Sequence, residues 1–295
     1  MSEFNEPILS VKDLKTYIYV NNRCNRAVDG VSFDVLKGKT LGIVGESGCG
    51  KSITASSIMQ LLPDLSRIES GEITYHSANG DIRIDLLERN GRPMRSLRGA
   101  DISMIFQDPM TALNPVYTIG SQIEENLKYH LSTSSKSIKD KTIELLHKMG
   151  IPLAEHRSTE YPHQFSGGMR QRAMIAMAMA CNPKILIADE PTTALDVTIQ
   201  AQIFELMQEL KEEHQTAIIM ITHDMGVIAE LANDVAVMYM GSIVERGTVD
   251  EVLRNPAHPY TKALLQTIPK LGQGKKQKLE PIRGATPDPY MRAKG

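Results

Sequence analysis

The stretch from Gly45 to Ser52, which reads GESGCGKS, constrains the fold of this chain more than any other feature of its sequence. It fits the spacing G-x-x-x-x-G-K-[ST], in which backbone N–H groups of a glycine-rich turn face phosphate groups at the start of a helix. The apolar run Leu41 to Val44 predicts a strand, and Ile53 to Leu62 predicts a helix that Pro63 ends. The sequence therefore predicts an α/β fold with a phosphate-binding loop between a strand and a helix.

Within this loop the residue types predict separate contacts with a nucleotide. Lys51 is expected to place its ammonium group on the β and γ phosphates, and Ser52 to offer a hydroxyl group to Mg²⁺. The glycines allow a close approach of the backbone that a Cβ atom would obstruct. The predicted nucleotide-binding residues of the loop are Gly45, Glu46, Ser47, Gly48, Cys49, Gly50, Lys51, Ser52 and Ile53.

Length and charge narrow the possible partners. The 295 residues suffice for one large α/β domain with additions or for two modest domains. A formal net charge of −2, with acidic and basic residues well mixed, does not favour nucleic acid or an anionic membrane as a partner.

The sequence also predicts no membrane-spanning segment, because apolar runs such as Ile218 to Ile221 are far shorter than the ~20 residues that span a bilayer. Met1 to Ser10 lacks the pattern of a secretory signal, so we expect a cytosolic protein.

The three cysteines, Cys24, Cys49 and Cys181, are odd in number and far apart in the sequence. This arrangement argues against a disulfide framework and against a zinc site. Cys49 lies inside the phosphate loop, near Lys51 and a predicted helix N-terminus, and such surroundings can lower the pKa of a thiol. Two interpretations of Cys49 stay open: a reactive thiol that ATP protects from alkylation, and a small residue that the loop tolerates.

The sequence on either side of the loop predicts an antiparallel β layer. Ile8 to Val20 and Ala27 to Val35 read as strands, the second one interrupted at Asp29-Gly30. Gly71 to Leu87 carries two β-rich runs on either side of Asn79-Gly80, which is a hairpin-turn signal. We therefore expect an antiparallel layer set beside a mostly parallel core sheet.

The middle of the chain predicts a helical subdomain at about residues 112–165, because its pattern there is helical and polar. Its clearest helices are Ile123 to Leu131 and Lys141 to Met149, and Ser132 to Ser137 reads as a serine-rich connection. A tail with several prolines at 272–295 is expected to be extended or disordered. The elements predicted between the subdomain and the tail are helices over 166–180 and 197–213, strands over 184–188 and 217–222, a helix up to 232, a hairpin across Gly241 and a helix at about 260–267.

Three predicted strands end in polar side chains suited to metal, water or phosphate. Lys184 to Glu190 reads KILIADE and ends in two carboxylates. Gln107 follows the apolar run 102–106, and His223 follows the apolar run 217–222. Because ligands of open α/β sheets bind at the carboxyl ends of the strands, we expect these side chains to act together with the phosphate loop.

These strand-end residues are assigned separate roles. Asp189 is expected to hold Mg²⁺, as are Ser52 and Gln107, while Glu190 is expected to polarise the water that attacks the γ phosphate. Gln107 could instead reach the attacking water, and His223 could contact the γ phosphate. The predicted catalytic residues are thus Glu190, His223 and Gln107. Taken singly, each also has an ordinary explanation: acids in an exposed turn, a solvated glutamine and a structural histidine.

The stretch Phe165 to Gln171, FSGGMRQ, places Ser166, Gly167 and Gly168 at the start of a predicted helix. Such a start is a second candidate site for an anion. Together with the phosphate loop, this stretch resembles the ATP-binding cassette family, whose signature is a Ser-Gly-Gly motif that opens a helix. The resemblance implies that these three residues contact the ATP held by a partner subunit, in a head-to-tail dimer with ATP at the seam.

The resemblance covers about residues 8–271, which we take as a nucleotide-binding domain followed by a short C-terminal extension at 272–295. The family pattern implies a P-loop NTPase cassette with a mostly parallel core sheet, an antiparallel β layer and a helical subdomain. It matches Gln107 to the Q-loop, Ala194-Leu195-Asp196 to the D-loop and His223 to the switch histidine.

The chain departs from the family pattern at two places. Met169 stands where many members have glutamine, and we expect this to be tolerated because Ser166 and the glycine backbones make the phosphate contacts. At the adenine-stacking position the alignment places Ile18 instead of an aromatic residue. Its neighbours Tyr17 and Tyr19 are the candidate stacking residues.

Three longer stretches, Tyr161–Arg172, Ala188–Ile203 and Asn255–Leu265, resemble the ATPases of oligopeptide, dipeptide and nickel importers. This resemblance implies a subunit at the cytoplasmic face of the cell membrane that uses ATP and Mg²⁺ to power import of oligopeptides or dipeptides. Nickel or another small solute is the alternative cargo. The implied partners are a paralogous ATPase, two transmembrane permeases and an extracytoplasmic solute-binding protein.

Other classes of protein fit the sequence less well. A cassette ATPase acting on nucleic acid normally needs long coiled-coil arms, and the sequence has no sustained heptads. A translation-type cassette protein would carry two phosphate loops, and a GTPase would carry an N-K-x-D string. A protein with only an interaction role would be expected to have lost Lys51 or Glu190.

Overall fold

The computed structural model of the chain describes residues 6–21, 23–132, 134–192 and 196–266. The chain divides into two units, the first formed by Met1–Arg89 and Ile219–Gly295 and the second by Asn90–Ile218. The predicted tail at 272–295 lies outside the described residues. The predicted domain boundaries at 8–271 and 112–165 stay predictions.

The first unit contains the predicted antiparallel layer. Its four strands, numbered in chain order, pair in the order β2-β1-β4-β5. Their bounds are β1 Pro7–Val20, β2 Arg23–Leu36, β4 Ser66–Ser77 and β5 Gly80–Arg83. The hairpin between β4 and β5 is confirmed, with Ser77 paired to Gly80 across the turn.

The predicted interruption of the second strand at Asp29-Gly30 is wrong. β2 runs continuously through these residues, and its pairing with β1 shifts register there, since Leu14 pairs with Val31 but Lys15 pairs with Asp29. Gly30 is thus an extra residue in the strand, with φ of +81°. A β-bulge accommodates such a residue without ending the strand.

The first unit also holds the strand that leads into the phosphate loop. This strand, β3 Thr40–Val44, is buried along its whole length and pairs in parallel with β9 Asp234–Tyr239. β9 pairs in turn with β10 Ser242–Thr248, which confirms the predicted hairpin across Gly241. The helices of this unit are α1 Lys51–Ile58, α9 Met225–Leu231, α10 Val249–Arg254 and α11 Pro259–Gln266. One further strand, β8 Ala217–Thr222, contains the division between the units.

The second unit pairs two buried strands in parallel, β6 Ile102–Ile105 and β7 Ile185–Asp189. Every residue of both strands is buried, which is typical of parallel strands that are covered on both faces. The helices of this unit are α2 Arg92–Leu97, α3 Pro109–Ala112, α4 Ile119–His130, α5 Ser135–Lys148, α6 Ala154–Arg157, α7 Gly167–Met179 and α8 Val197–His214. The α/β class, with both parallel and antiparallel pairing, is confirmed.

Three predicted helix boundaries are wrong. Helix α4 begins at Ile119 rather than Ile123, because the Thr118 hydroxyl accepts a hydrogen bond from the Ser121 N–H and caps the helix. Helix α1 ends at Ile58 rather than Leu62, and Gln60 shortly after it adopts a left-handed φ of +51°. Helix α5 begins inside the predicted serine-rich connection, because the Ser134 hydroxyl accepts a hydrogen bond from the Ser137 N–H and caps the helix. Among the described residues, no helix combines the length and apolar character needed to cross a membrane.

Candidate nucleotide-binding site

The phosphate loop, Gly45 to Ser52, joins the buried strand β3 to helix α1 in the first unit. A Cβ atom on Gly45 would lie 2.2 Å from the carbonyl oxygen of Met238, and one on Gly50 would lie 2.2 Å from the carbonyl oxygen of Ala27. Gly50 also has φ of +107°. Because backbone atoms cannot move aside as a flexible side chain can, any other residue at these two positions would displace the loop.

Lys51 is the first residue of α1, and its side chain turns back over the loop. Its ammonium group is buried and donates to the carbonyl oxygens of Gly45 at 2.7 Å and of Glu46 at 2.9 Å. Carbonyl dipoles hold the ammonium group in place without neutralising its charge. A buried cation at a helix N-terminus is suited to bind phosphate oxygens.

The loop is also hydrogen-bonded to segments far along the chain. The Glu46 N–H donates to the hydroxyl oxygen of Tyr260 at 3.0 Å, and the Gly241 N–H donates to the carbonyl oxygen of Cys49 at 2.8 Å. No sequence pattern predicted that Tyr260 or Gly241 contacts the phosphate loop. The only sequence signal for Tyr260 was its place in the stretch Asn255–Leu265, which is typical of one branch of the family.

The low thiol pKa suggested for Cys49 is wrong. Cys49 is buried, and loss of solvation raises its pKa, although the nearby ammonium group and N–H of Lys51 act in the opposite direction. A thiol in such surroundings is less often ionised and therefore less reactive. The interpretation of Cys49 as a small residue accommodated by the loop is the one that fits.

Tyr17 and Tyr19, the candidate adenine-stacking residues, both lie on β1. The Tyr17 hydroxyl donates to Asp29 at 3.0 Å, and the Asp29 N–H donates to the carbonyl oxygen of Gly241 at 2.7 Å. The Tyr19 hydroxyl donates to Glu69 at 2.5 Å, and the Arg67 guanidinium lies 4.6 Å from the Tyr19 ring centroid. Tyr17 is thus linked to the residue that holds the phosphate loop, whereas Tyr19 is engaged with β4.

His223 lies in the first unit, directly after β8, and is exposed. The turn that carries it is tight, because the Asp224 N–H donates to the Thr222 hydroxyl at 3.0 Å. The Asp224 carboxylate then caps helix α9 by accepting from the Gly226 N–H at 2.7 Å. The end of β8 and the capped helix α9 together fix the position of the turn that carries His223.

In the second unit, the ends of β6 and β7 bring two of the predicted catalytic residues together. The Gln107 amide donates from Nε2 to Oε2 of Glu190 at 2.8 Å. Glu190 adopts φ of +46°, a left-handed conformation that is uncommon for residues with a side chain. Asp189, the last residue of β7, is buried. A strained backbone conformation such as that of Glu190 tends to occur at functional sites.

The signature turn, Ser166 to Gly168, opens helix α7 in the same unit. The Ser166 hydroxyl caps the helix by accepting from the Met169 N–H at 3.3 Å, and Ser166 and Gly167 are exposed. One turn along α7, the buried Gln171 amide donates to the carbonyl oxygen of Pro191. This contact, which no sequence pattern predicted, connects helix α7 to the residue that follows Glu190. Of the predicted D-loop, Asp196 caps α8 by accepting from the Ile199 N–H at 3.0 Å, and Ala194 and Leu195 lie outside the described residues.

Comparison with known proteins assigns this arrangement to a family. The sequence profile of the family described as ABC transporter matches residues 28–193, which is more than half of the chain. The chain therefore belongs to the ABC transporter family, and its cassette is an ATP-binding, ATP-hydrolysing module. A second profile, described as the oligopeptide/dipeptide transporter C-terminal region, matches residues 244–295.

Individual relatives are similar over most of their length. The dipeptide transport ATP-binding protein DppD of Haemophilus influenzae is 49% identical over 98% of this chain and 85% of its own length. The oligopeptide transport ATP-binding protein OppD of Bacillus subtilis is 50% identical over 95% of this chain and 77% of its own. A dimeric ATP-binding cassette in a post-hydrolysis state, bound to ADP and Pi, superposes with a TM-score of 0.71 at 26% identity, over 82% of this chain and 98% of that one.

Proposed function

We propose that this chain is the ATP-binding and ATP-hydrolysing subunit of a transporter that imports oligopeptides or dipeptides. The observation that carries the proposal is the phosphate loop, in which the buried Lys51 ammonium lies over a glycine turn at the start of α1. The names of the relatives, which are peptide transport proteins, favour peptide over nickel or another small solute as the cargo.

The loop is proposed to hold the phosphates of ATP. Its N–H groups and the Lys51 ammonium supply the positive charge, and Gly45 and Gly50 let the turn pack against the carbonyl oxygens of Met238 and Ala27. Mg²⁺, which neutralises phosphate charge when bound, would be held by Ser52, Gln107 and Asp189. All three offer oxygen atoms, the ligand type that this ion prefers.

Hydrolysis is proposed to use Glu190 as the general base. Its carboxylate accepts a hydrogen bond from Gln107, so its orientation is fixed before a water molecule is activated. His223 is proposed to contact the γ phosphate, and Ser166, Gly167 and Gly168 to contact the ATP held by a partner. Tyr17 is the better candidate for adenine stacking, because Asp29 links it to the turn that holds the phosphate loop.

The proposed partners are a paralogous ATPase, two transmembrane permeases and an extracytoplasmic solute-binding protein. In this assembly the chain would lie at the cytoplasmic face of the cell membrane. A role on nucleic acid is not favoured by a net charge of −2, because phosphate backbones are bound through excess Lys and Arg.

Affinity purification from gently solubilised membranes tests this proposal. The tagged chain is expected to recover two permeases and a second cassette, and the purified assembly is expected to hydrolyse ATP faster when peptide and the solute-binding protein are added. The Glu190→Gln variant, purified in the same way, controls for a contaminating ATPase. Recovery of the chain with nucleic-acid machinery, or stimulation by nickel instead of peptide, would contradict the peptide-import assignment.

A further inference from the structure

The segment Asn255–Leu265 has no part in the function proposed above, although it contributes directly to the surroundings of the phosphate loop. It leads into helix α11, whose second residue, Tyr260, is only 7% exposed. The Tyr260 ring packs on the ring of Tyr239 at the end of β9, with 4.5 Å between ring centroids. The phenol is therefore held inside the first unit rather than extended into solvent.

The Tyr260 hydroxyl contacts the peptide group on which Lys51 depends. That peptide group joins Gly45 to Glu46: its N–H donates to Tyr260 at 3.0 Å, and its carbonyl oxygen accepts from the Lys51 ammonium at 2.7 Å. Both ends of one amide plane are thus hydrogen-bonded. Because hydrogen bonds in a series polarise one another, loss of the Tyr260 hydroxyl oxygen also weakens the hydrogen bond between the Gly45 carbonyl oxygen and the Lys51 ammonium group.

Tyr260 is itself held in position by residues of β10 and of its own segment. The Glu245 carboxylate accepts from the N–H groups of Ala257 at 2.6 Å and of His258 at 3.0 Å. The Tyr260 N–H donates to Nδ1 of His258 at 3.2 Å. Burial raises the pKa of Tyr260 to about 12, so its side chain is a neutral phenol at any physiological pH.

We propose that Tyr260 is a positioning residue of the phosphate loop: its hydroxyl oxygen orients the Gly45–Glu46 peptide group and thereby the Lys51 ammonium, and so sets the affinity for ATP. This inference rests on the proposed function in so far as ATP is the ligand of the loop. It gives the segment Asn255–Leu265 a direct influence on nucleotide binding through a single hydrogen bond.

The test compares Tyr260→Phe with Tyr239→Phe in the purified full-length chain. Each variant loses one hydroxyl group and keeps the packed ring pair, but only the first loses the acceptor for the Glu46 N–H. Tyr260→Phe is expected to raise the Kd for ATP about threefold to tenfold, the range for one lost hydrogen bond, and to leave kcat at saturating ATP within about twofold. Tyr239→Phe is expected to match the wild type in both quantities.

Hydrogen exchange of the Glu46 amide supplies a second measurement that needs no nucleotide. Faster exchange of this amide in Tyr260→Phe, but not in Tyr239→Phe, is expected. Unchanged exchange, or faster exchange with an unchanged Kd for ATP, would overturn the inference while leaving the proposed function intact. A wild-type chain that fails to bind ATP would instead refute the proposed function, and the exchange measurement would still decide whether Tyr260 holds the loop.

Discussion

The two glycine-rich helix starts of this chain, the phosphate loop at α1 and the signature turn at α7, are built in opposite ways. At α1 the cap residue is Gly50, which has no side chain. The loop is held by a hydrogen bond that the Gly241 N–H donates to the Cys49 carbonyl oxygen and by one that the Glu46 N–H donates to the Tyr260 hydroxyl oxygen. At α7 the exposed Ser166 caps its own helix. One helix start thus depends on distant segments, and the other is locally complete.

This difference fits the two roles proposed above for these turns. A loop that keeps its own nucleotide gains affinity from being preorganised, because a rigid site loses less entropy on binding. A turn that meets the nucleotide of a partner has to be accessible and stable before the partner arrives, which a local cap provides. Substitutions in the phosphate loop should therefore change affinity first, and substitutions around the signature helix should change the rate of hydrolysis first.

The largest expected effect is that of Glu190→Gln, in the unit that carries the signature turn. Loss of the proposed general base is expected to lower kcat about 100-fold to 10,000-fold and to leave the Kd for ATP nearly unchanged. Single-turnover hydrolysis and equilibrium binding measure the two quantities. Glu205→Gln on the exposed side of α8 is the matched control. Normal turnover in Glu190→Gln would remove Glu190 from the role of base.

The next largest effect is expected from Lys51→Ala, which tests whether the phosphate loop provides the affinity for ATP. Removal of a charge-assisted contact with phosphate is expected to weaken ATP binding about 10-fold to 100-fold. Isothermal titration of the purified chain measures this, with Lys262→Ala on the exposed face of α11 as the control. If Lys51→Ala bound ATP normally and lost only turnover, affinity would not reside in the loop.

Ser166→Ala should show whether Ser166 only caps helix α7 or also contacts ATP. Loss of the cap is expected to lower the free energy of unfolding by about 1 kcal/mol, and Ser134→Ala, which removes the corresponding serine cap of α5, should cost a similar amount. Only Ser166→Ala is expected to slow hydrolysis by the assembled dimer, about tenfold. Equal ATPase rates in the two variants would reduce Ser166 to a structural cap.

The smallest expected effect is the pH dependence of the stability that the Glu245 carboxylate contributes. This carboxylate holds the segment that carries Tyr260. Burial alone would raise the pKa of Glu245, but the Thr261 side chain and the N–H groups of Ala257 and His258 together outweigh it and hold the pKa below its ordinary value of 4.5. The folded state thus favours the carboxylate, so its stabilisation is present above about pH 4.5 and is lost as the pH falls through the lowered pKa.

Urea unfolding of the wild type and Glu245→Gln measures this contribution. The wild type is expected to be the more stable of the two at about pH 7, and the difference is expected to shrink at about pH 3.5. A difference that stays constant over this range would show that the charge of Glu245 contributes nothing.

Much of the fold was predictable because short patterns encode it. The helices at 166–180 and 197–213 and the strands at 184–188 and 217–222 were predicted to within about one residue of each end. The errors arose where one residue decides a boundary: Gly30 extends a strand as a bulge, and Ser134 starts a helix early. Neither choice can be read from periodicity, since it depends on a single hydrogen bond or register shift.

The sequence by itself determined the family, the phosphate loop and the polar strand ends, because each is a run of neighbouring residues whose spacing dictates local backbone geometry. Only the tertiary structure decided how the loop is held. The contact between Glu46 and Tyr260 joins residues 214 positions apart, and the burial that raises the pKa of Cys49 comes from the atoms packed around it. Desolvation and long-range hydrogen bonds depend on which segments meet in space, and no local pattern carries that information.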